Sequence, residues 1–281
     1  MKKGISIWAF PGGGYEKNFK AAKAAGFEGL EVALAESGEL SLASSEEEIL
    51  KIRDSAEKCG IALYSVASGL GWDYPLTSDD EAVRDKAKAI IKKQITAARL
   101  LGCDTVLVVP GAVGVDFNPG LGVVDYETAY DRALGALREL APFAEENRVS
   151  IGVENVWNKF LLSPLEMRDF IDRVQSPYVG AYLDVGNVLY SGYPEHWARI
   201  LGSRIKKVHF KDFRRAVGTI DGFCDLLAGD VDYEAVMDSL EAAGYDGWAT
   251  AEISPYSVHN EMMLAHTSMA MDKILRREKL C

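Results

Sequence analysis

The chain has 281 residues, with 31 basic and 42 acidic side chains, a formal charge of −11 and 48% hydrophobic residues. This is the composition of a folded, soluble protein, with no low-complexity tract. The acid excess argues against broad attachment to nucleic acid or anionic lipid, which need a Lys/Arg surface, but one local cluster of donors is enough to hold an anionic small molecule.

The amino terminus, Met1-Lys2-Lys3, leads into a short apolar-leaning run that stops at Pro11-Gly12-Gly13-Gly14. A signal peptide needs a longer apolar core and a small-residue cleavage site, so none is expected. No window approaches the roughly 18 consecutive apolar residues of a membrane helix, and no membrane association is expected. The four cysteines (Cys59, Cys103, Cys224, Cys281) show neither CxxC nor regular spacing, which suits unpaired thiols in a reducing cytoplasm rather than a disulfide framework.

Short β-rich runs alternate with long amphipathic segments along the whole chain, the pattern of repeated βα units around a parallel sheet. Eight strands are expected, over 4–9, 29–33, 61–66, 105–109, 150–154, 179–184, 205–210 and 247–253. Helical periodicity marks 46–58, 79–101, 126–147, 164–174, 233–243 and 260–277. Gly26, Gly60, Gly102 and Gly244 each follow a helical run and precede a strand, where a left-handed residue ends a helix at least cost. Ser163-Pro164 and Asp79-Asp80-Glu81 supply a cap and a negative first turn at two helix starts. Eight such units in one continuous chain predict an α/β fold: a single (β/α)8 TIM barrel over 1–281, without a second domain. An open doubly wound sheet is the runner-up. It usually shows a Gly-rich phosphate fingerprint after its first strand, and Gly12-Gly13-Gly14, expected to be a flexible loop, lacks that spacing.

In such a barrel the active site lies at the carboxyl ends of the strands, so polar residues that end an apolar strand mark it. The fifth strand ends Glu154-Asn155, the sixth Leu183-Asp184-Val185-Gly186-Asn187, the seventh runs Val208-His209-Phe210-Lys211-Asp212, and the eighth ends Ala251-Glu252-Ile253-Ser254. The gaps of 30, 25 and 43 residues between Glu154, Asp184, His209 and Glu252 are about one βα unit each, which brings all four to one rim. Three carboxylates and an imidazole in a partly dry pocket oppose one another's ionisation, and a divalent cation resolves the conflict. Three oxygen donors and one nitrogen suit Mn²⁺ or Mg²⁺, with Co²⁺ as a substitute, ahead of a closed structural zinc site.

These four strand ends together resemble the xylose isomerase-like sugar isomerases and epimerases, and among them most closely the ketose and ketose-phosphate 3-epimerases. The resemblance covers essentially the whole chain; it is specific for fold and metal site and weak for substrate. It implies that Glu154, Asp184, His209 and Glu252 bind a metal, most often Mn²⁺, with Mg²⁺, Co²⁺ or Zn²⁺ as alternatives. It also implies that Glu154 and Glu252 are the two acid/base catalysts on opposite faces of the sugar, and that the protein is a homodimer or homotetramer acting on a small sugar or sugar phosphate. The chemistry is consistent: a proton next to a carbonyl becomes acidic enough for a carboxylate only when the carbonyl is polarised and the enediolate stabilised.

Two positions depart from the free-sugar epimerases. These carry a histidine three residues after the sixth-strand aspartate, where this chain has Asn187, and a second glutamate six residues after the fifth-strand one, where it has Phe160. Asn187 is thereby a substrate-binding candidate of the ribulose-phosphate type. Lys211, Arg214 and Arg215 form a cationic set suited to a phosphate or terminal hydroxyl, and Arg215 falls at the family's substrate-contacting arginine. Trp8, at the end of the first strand, is a candidate for stacking on the sugar. Trp72, Tyr74, Trp157 and Phe160 are candidates for an apolar wall, while His196, His259 and His266 read as surface or packing residues. The alternatives are an inosose dehydratase-like lyase, a hydroxypyruvate isomerase-like isomerase, a DNA-repair relative, which four histidines and a charge of −11 disfavour, and a non-catalytic sugar-binding barrel.

Overall fold

In a computed structural model that describes residues 1–276, eight parallel strands close on themselves in the order β1-β8-β7-β6-β5-β4-β3-β2. The strands are β1 (Lys2–Ser6), β2 (Gly29–Ala33), β3 (Ala62–Ala67), β4 (Thr105–Val108), β5 (Ser150–Glu154), β6 (Val179–Asp184), β7 (Ile205–Phe210) and β8 (Trp248–Ala251). Helices follow them in turn: α1 (Tyr15–Ala24), α2 (Glu46–Cys59), α3 (Glu81–Leu101), α4 (Tyr126–Asn147), α5 (Pro164–Val174), α6 (Pro194–Leu201), α7 (Tyr233–Ala242) and α8 (Asn260–Ile274). The expected (β/α)8 barrel is the fold. Arg277, the last residue of the expected helix 260–277, and Cys281 lie outside the described residues.

The ends of the elements follow local chemistry. Ser45 and Glu48 cap α2 reciprocally, each side chain accepting the other's backbone N–H, and Gly60 ends the helix at φ 67°. Ser163 caps α5 with Pro164 in its first turn, and Asp80 caps α3. Two strands end two or more residues short of expectation, and several other boundaries differ by one or two residues. The first strand stops at Ser6, whose hydroxyl accepts the Trp8 N–H at 3.4 Å and turns Ile7–Ala9 into a 3₁₀ turn. The eighth strand stops at Ala251, although the Glu252 N–H still donates to Phe210 O at 3.0 Å and so extends the ladder to the site. Helices α1 and α6 lie outside the segments picked by periodicity; both are short, at 10 and 8 residues.

One apolar core fills the space between strands and helices, with Phe19, Phe27, Phe170 and Phe210 fully buried. A smaller group, Ala67, Leu107, Val109 and Tyr182, lies apart from it and is flanked by Ala33, Trp72 and Val156. Gly152 on β5 makes room for the Tyr182 ring, since a Cβ there would lie 2.9 Å from it. The barrel register sets Glu154 beside Tyr182 and Asp184 beside His209, which carries the polar strand ends to a common level. Cys59, Cys103 and Cys224 are free thiols. Among the described residues no helix is long and apolar enough to cross a membrane.

Candidate metal centre

Glu154 ends β5, Asp184 ends β6, His209 stands in β7 and Glu252 directly follows β8. Each offers one ligand atom, and these atoms all lie within 4.8 Å of one another. His209 Nδ1 is 2.8 Å from Glu252 Oε2, 3.3 Å from Glu154 Oε1 and 3.9 Å from Asp184 Oδ2. Asp184 Oδ2, His209 Nδ1 and Glu252 Oε2 are buried and make no well-formed hydrogen bond among the described residues, only ion-pair contacts within the cluster and with Lys211. Polar atoms in that condition are costly unless something charged joins them. The four residues fit a divalent cation, whose charge offsets the carboxylates and whose spare positions suit a substrate.

The second oxygen of Asp184 is already committed. Its Oδ1 accepts the Asn187 N–H at 2.8 Å and caps the one-turn helix Val185–Val188, which leaves Oδ2 to face the cluster. Asn155 braces the same strand end: its Oδ1 accepts the Asp184 N–H at 2.9 Å and its Nδ2 donates to Asp184 O at 2.8 Å. Asn187 Nδ2 donates in turn to Asn155 O at 3.0 Å.

Lys211 also faces the cluster, its Nζ 2.9 Å from Glu252 Oε2 and 3.2 Å from Asp184 Oδ2. The electrostatics separate the two glutamates. Burial, with the Glu252 and Asp184 carboxylates, pushes Glu154 up to about 7 against the pull of His209. Burial also works against the Glu252 carboxylate, but Lys211 and His209 outweigh it and hold its carboxyl well below the usual range. Burial raises Asp184 against the Lys211 charge, and it opposes the His209 imidazolium, which the Glu31 and Glu252 carboxylates nonetheless hold well above the usual imidazole range.

Glu31 is the site residue that strand-end reasoning misses. It stands mid-strand in β2, fully buried, with Oε1 3.0 Å from His209 Nε2. Its Oε2 accepts a short hydrogen bond from the Tyr182 hydroxyl, which also lies 3.2 Å from Ser65 Oγ. In the neutral ring that a bound cation requires, the Glu31 carboxylate, which can only accept, would keep the proton on Nε2 and leave Nδ1 as the ring atom for a ligand. The signal was a lone charge inside the apolar run Gly29-Leu30-Glu31-Val32-Ala33.

Above the cluster lies a cavity of about 270 Å³. Glu154, Glu252 and Lys211 line it, with the candidates Trp8 and Asn187 and with Trp72 and Trp157 from the expected wall. Phe160 is buried against Tyr126, Tyr130 and Phe170 instead, and Tyr74 reaches Glu36, so both lie outside this cavity. The structure does not gather the cationic set. Lys211 serves the carboxylates, Arg214 Nε donates to Ala228 O at 3.1 Å, and the Arg215 guanidinium lies 5.0 Å over the Tyr193 ring. His196, His259 and His266 are exposed, as expected.

A family model described as xylose isomerase-like TIM barrel matches residues 19–274. The chain belongs to that family. Within it, the chain is 28% identical over 232 residues to the putative L-ribulose-5-phosphate 3-epimerase SgbU of Escherichia coli (strain K12), covering 80% of this chain and 79% of that protein. It is 27% identical over 254 residues to the L-ribulose-5-phosphate 3-epimerase UlaE of Salmonella heidelberg (strain SL476), covering 87% of this chain and 84% of the relative. A solved D-psicose 3-epimerase with D-tagatose from Clostridium cellulolyticum H10 shares the fold, with a TM-score of 0.84 at 19% identity over 98% of this chain and 99% of the other.

Proposed function

We propose that the protein is a divalent-metal-dependent 3-epimerase of a ketose or ketose phosphate. One observation carries the reading: two glutamates, Glu154 and Glu252, converge with Asp184 and His209 at the strand ends of a barrel whose relatives are named L-ribulose-5-phosphate 3-epimerases. Glu154, Asp184, His209 and Glu252 would hold the ion, which when bound polarises the sugar carbonyl and so acidifies the neighbouring C3–H. The oxygen-rich donor set favours Mn²⁺, with Mg²⁺, Co²⁺ and Zn²⁺ as alternatives.

The residues divide the proton work. One glutamate takes the C3 proton and the other delivers a proton to the opposite face, which inverts C3 without moving the carbonyl. The two carboxyls differ in proton affinity, Glu154 pushed up to about 7 and Glu252 held down beside Lys211, which suits one acid and one base at a shared site. Trp8, Trp72 and Trp157 offer apolar faces to the sugar, and Asn187 a polar one. The free thiols suit a cytoplasmic enzyme.

The test is incubation of the Mn²⁺-loaded protein with ketopentoses and ketohexoses, free and phosphorylated, followed by separation of products. A C3 epimer of one of them is expected. An aldose product would replace the reading with isomerisation, and a product lighter by about the mass of one water would replace it with dehydration.

A further inference from the structure

Past β7 the chain makes a long excursion, residues 213–231, before α7 begins. It is pinned to itself by a two-residue antiparallel pairing, Asp212 with Cys224 and Phe213 with Phe223. Two of its side chains, Ile220 and Phe223, form part of the wall of the metal-site cavity. Phe213 and Phe223 each pack on Trp157 with ring centroids 5.2 Å apart. A segment of this length with only a 3₁₀ turn at Ile220–Gly222 and no α-helix or long strand is entropically costly to keep in one place, so something must fix it.

One carboxylate does so. Asp212 is fully buried, and its Oδ1 accepts the backbone N–H groups of Phe213 at 2.9 Å and Val231 at 3.1 Å. Its Oδ2 accepts those of Leu227 at 2.9 Å and Gly229 at 3.1 Å. The four donors come from the two ends of the excursion, so a single side chain ties both to the end of β7. The approach is close enough to require glycine: a Cβ on residue 229 would lie 2.2 Å from Asp212 Oδ1 and 2.7 Å from Phe213 N. Alternation along β7 and beyond aims the groups: His209 and Lys211 meet the carboxylate cluster, while Phe210 packs on Tyr233 and Asp212 turns to the excursion.

We propose that Asp212 is a positioning residue for substrate binding, whose carboxylate holds residues 213–231 as one wall of the cavity while the barrel sets the metal ligands independently. The substrate part rests on the epimerase reading; the fixing of the wall does not. Asp212→Asn tests it, because the amide keeps one oxygen and turns an NH₂ group against two N–H donors. Gly229→Ala is the second variant, crowding the carboxylate from the other side. Hydrogen exchange of residues 213–231 is expected to speed up by roughly tenfold or more in both variants, with protection in β5 and β6 unchanged. Mn²⁺ affinity should stay within about twofold, and KM should rise by about tenfold or more with kcat within about threefold. Unchanged exchange in the excursion, loosening of the whole barrel, or a loss of kcat and metal affinity with KM unaltered would each overturn the proposal. If the wild-type protein turns over no ketose, the epimerase reading falls and the exchange pattern alone decides whether Asp212 fixes the wall.

Discussion

Replacing Glu31 with glutamine probes the metal centre from outside its ligand set. The Glu31 Oε1 to His209 Nε2 contact is 3.0 Å, and both side chains are fully buried, so water screens neither. A hydrogen bond to a charged group contributes about 1.5–3 kcal/mol, and loss of a ligand's outer partner typically weakens metal binding by about 10–100-fold. That range equals about 1.4–2.8 kcal/mol. Glutamine keeps an oxygen for the imidazole N–H but loses the charge, so Glu31→Gln should weaken Mn²⁺ binding by about tenfold. Glu31→Ala leaves the N–H unpaired and should approach about 100-fold. Isothermal titration with Mn²⁺ reads the constants, and far-UV circular dichroism checks the fold. If Glu31→Ala folds normally and binds Mn²⁺ as tightly as wild type, the orienting role of Glu31 is refuted.

Chelation should abolish turnover while leaving the thermal transition of the barrel largely in place, because the apolar core between strands and helices does not include the cluster; added Mn²⁺ should restore the rate. Asp184→Asn should weaken Mn²⁺ binding more than Glu31→Gln does, since its buried Oδ2 belongs to the ligand set itself; the same titration compares the two. Phe170→Ala removes a fully buried ring packed on Tyr130 and Phe160, and should cost about 3–5 kcal/mol in urea unfolding without changing Mn²⁺ affinity.

The parts of the site that sit at strand ends were legible in the sequence. Glu154, Asp184 and Glu252 each break an apolar run where a barrel strand must stop, and the βα spacing alone brings them together. Glu31 was not legible in the same way. Its meaning depends on pointing inward and on partners 151 and 178 residues away, Tyr182 and His209, and no local period encodes those contacts. Arg214 and Arg215 read as a cationic set because they are adjacent to Lys211 in sequence. The fold of the excursion that Asp212 ties down sends them to Ala228 and Tyr193 instead. The early end of β1 likewise turned on a single hydroxyl, that of Ser6.

The central claim is that Glu154 and Glu252 address opposite faces of one carbon. Its most direct test is C3 deuterium exchange in D₂O with each of the two C3-epimeric ketoses separately, using Mn²⁺-loaded wild type, Glu154→Gln and Glu252→Gln. Wild type should exchange both epimers and interconvert them. Each variant should lose interconversion by about 10²–10⁴-fold, and whatever exchange survives should favour opposite epimers in the two variants. Interconversion within about tenfold of wild type in either variant, or residual exchange that favours the same epimer in both, would contradict the two-carboxylate mechanism.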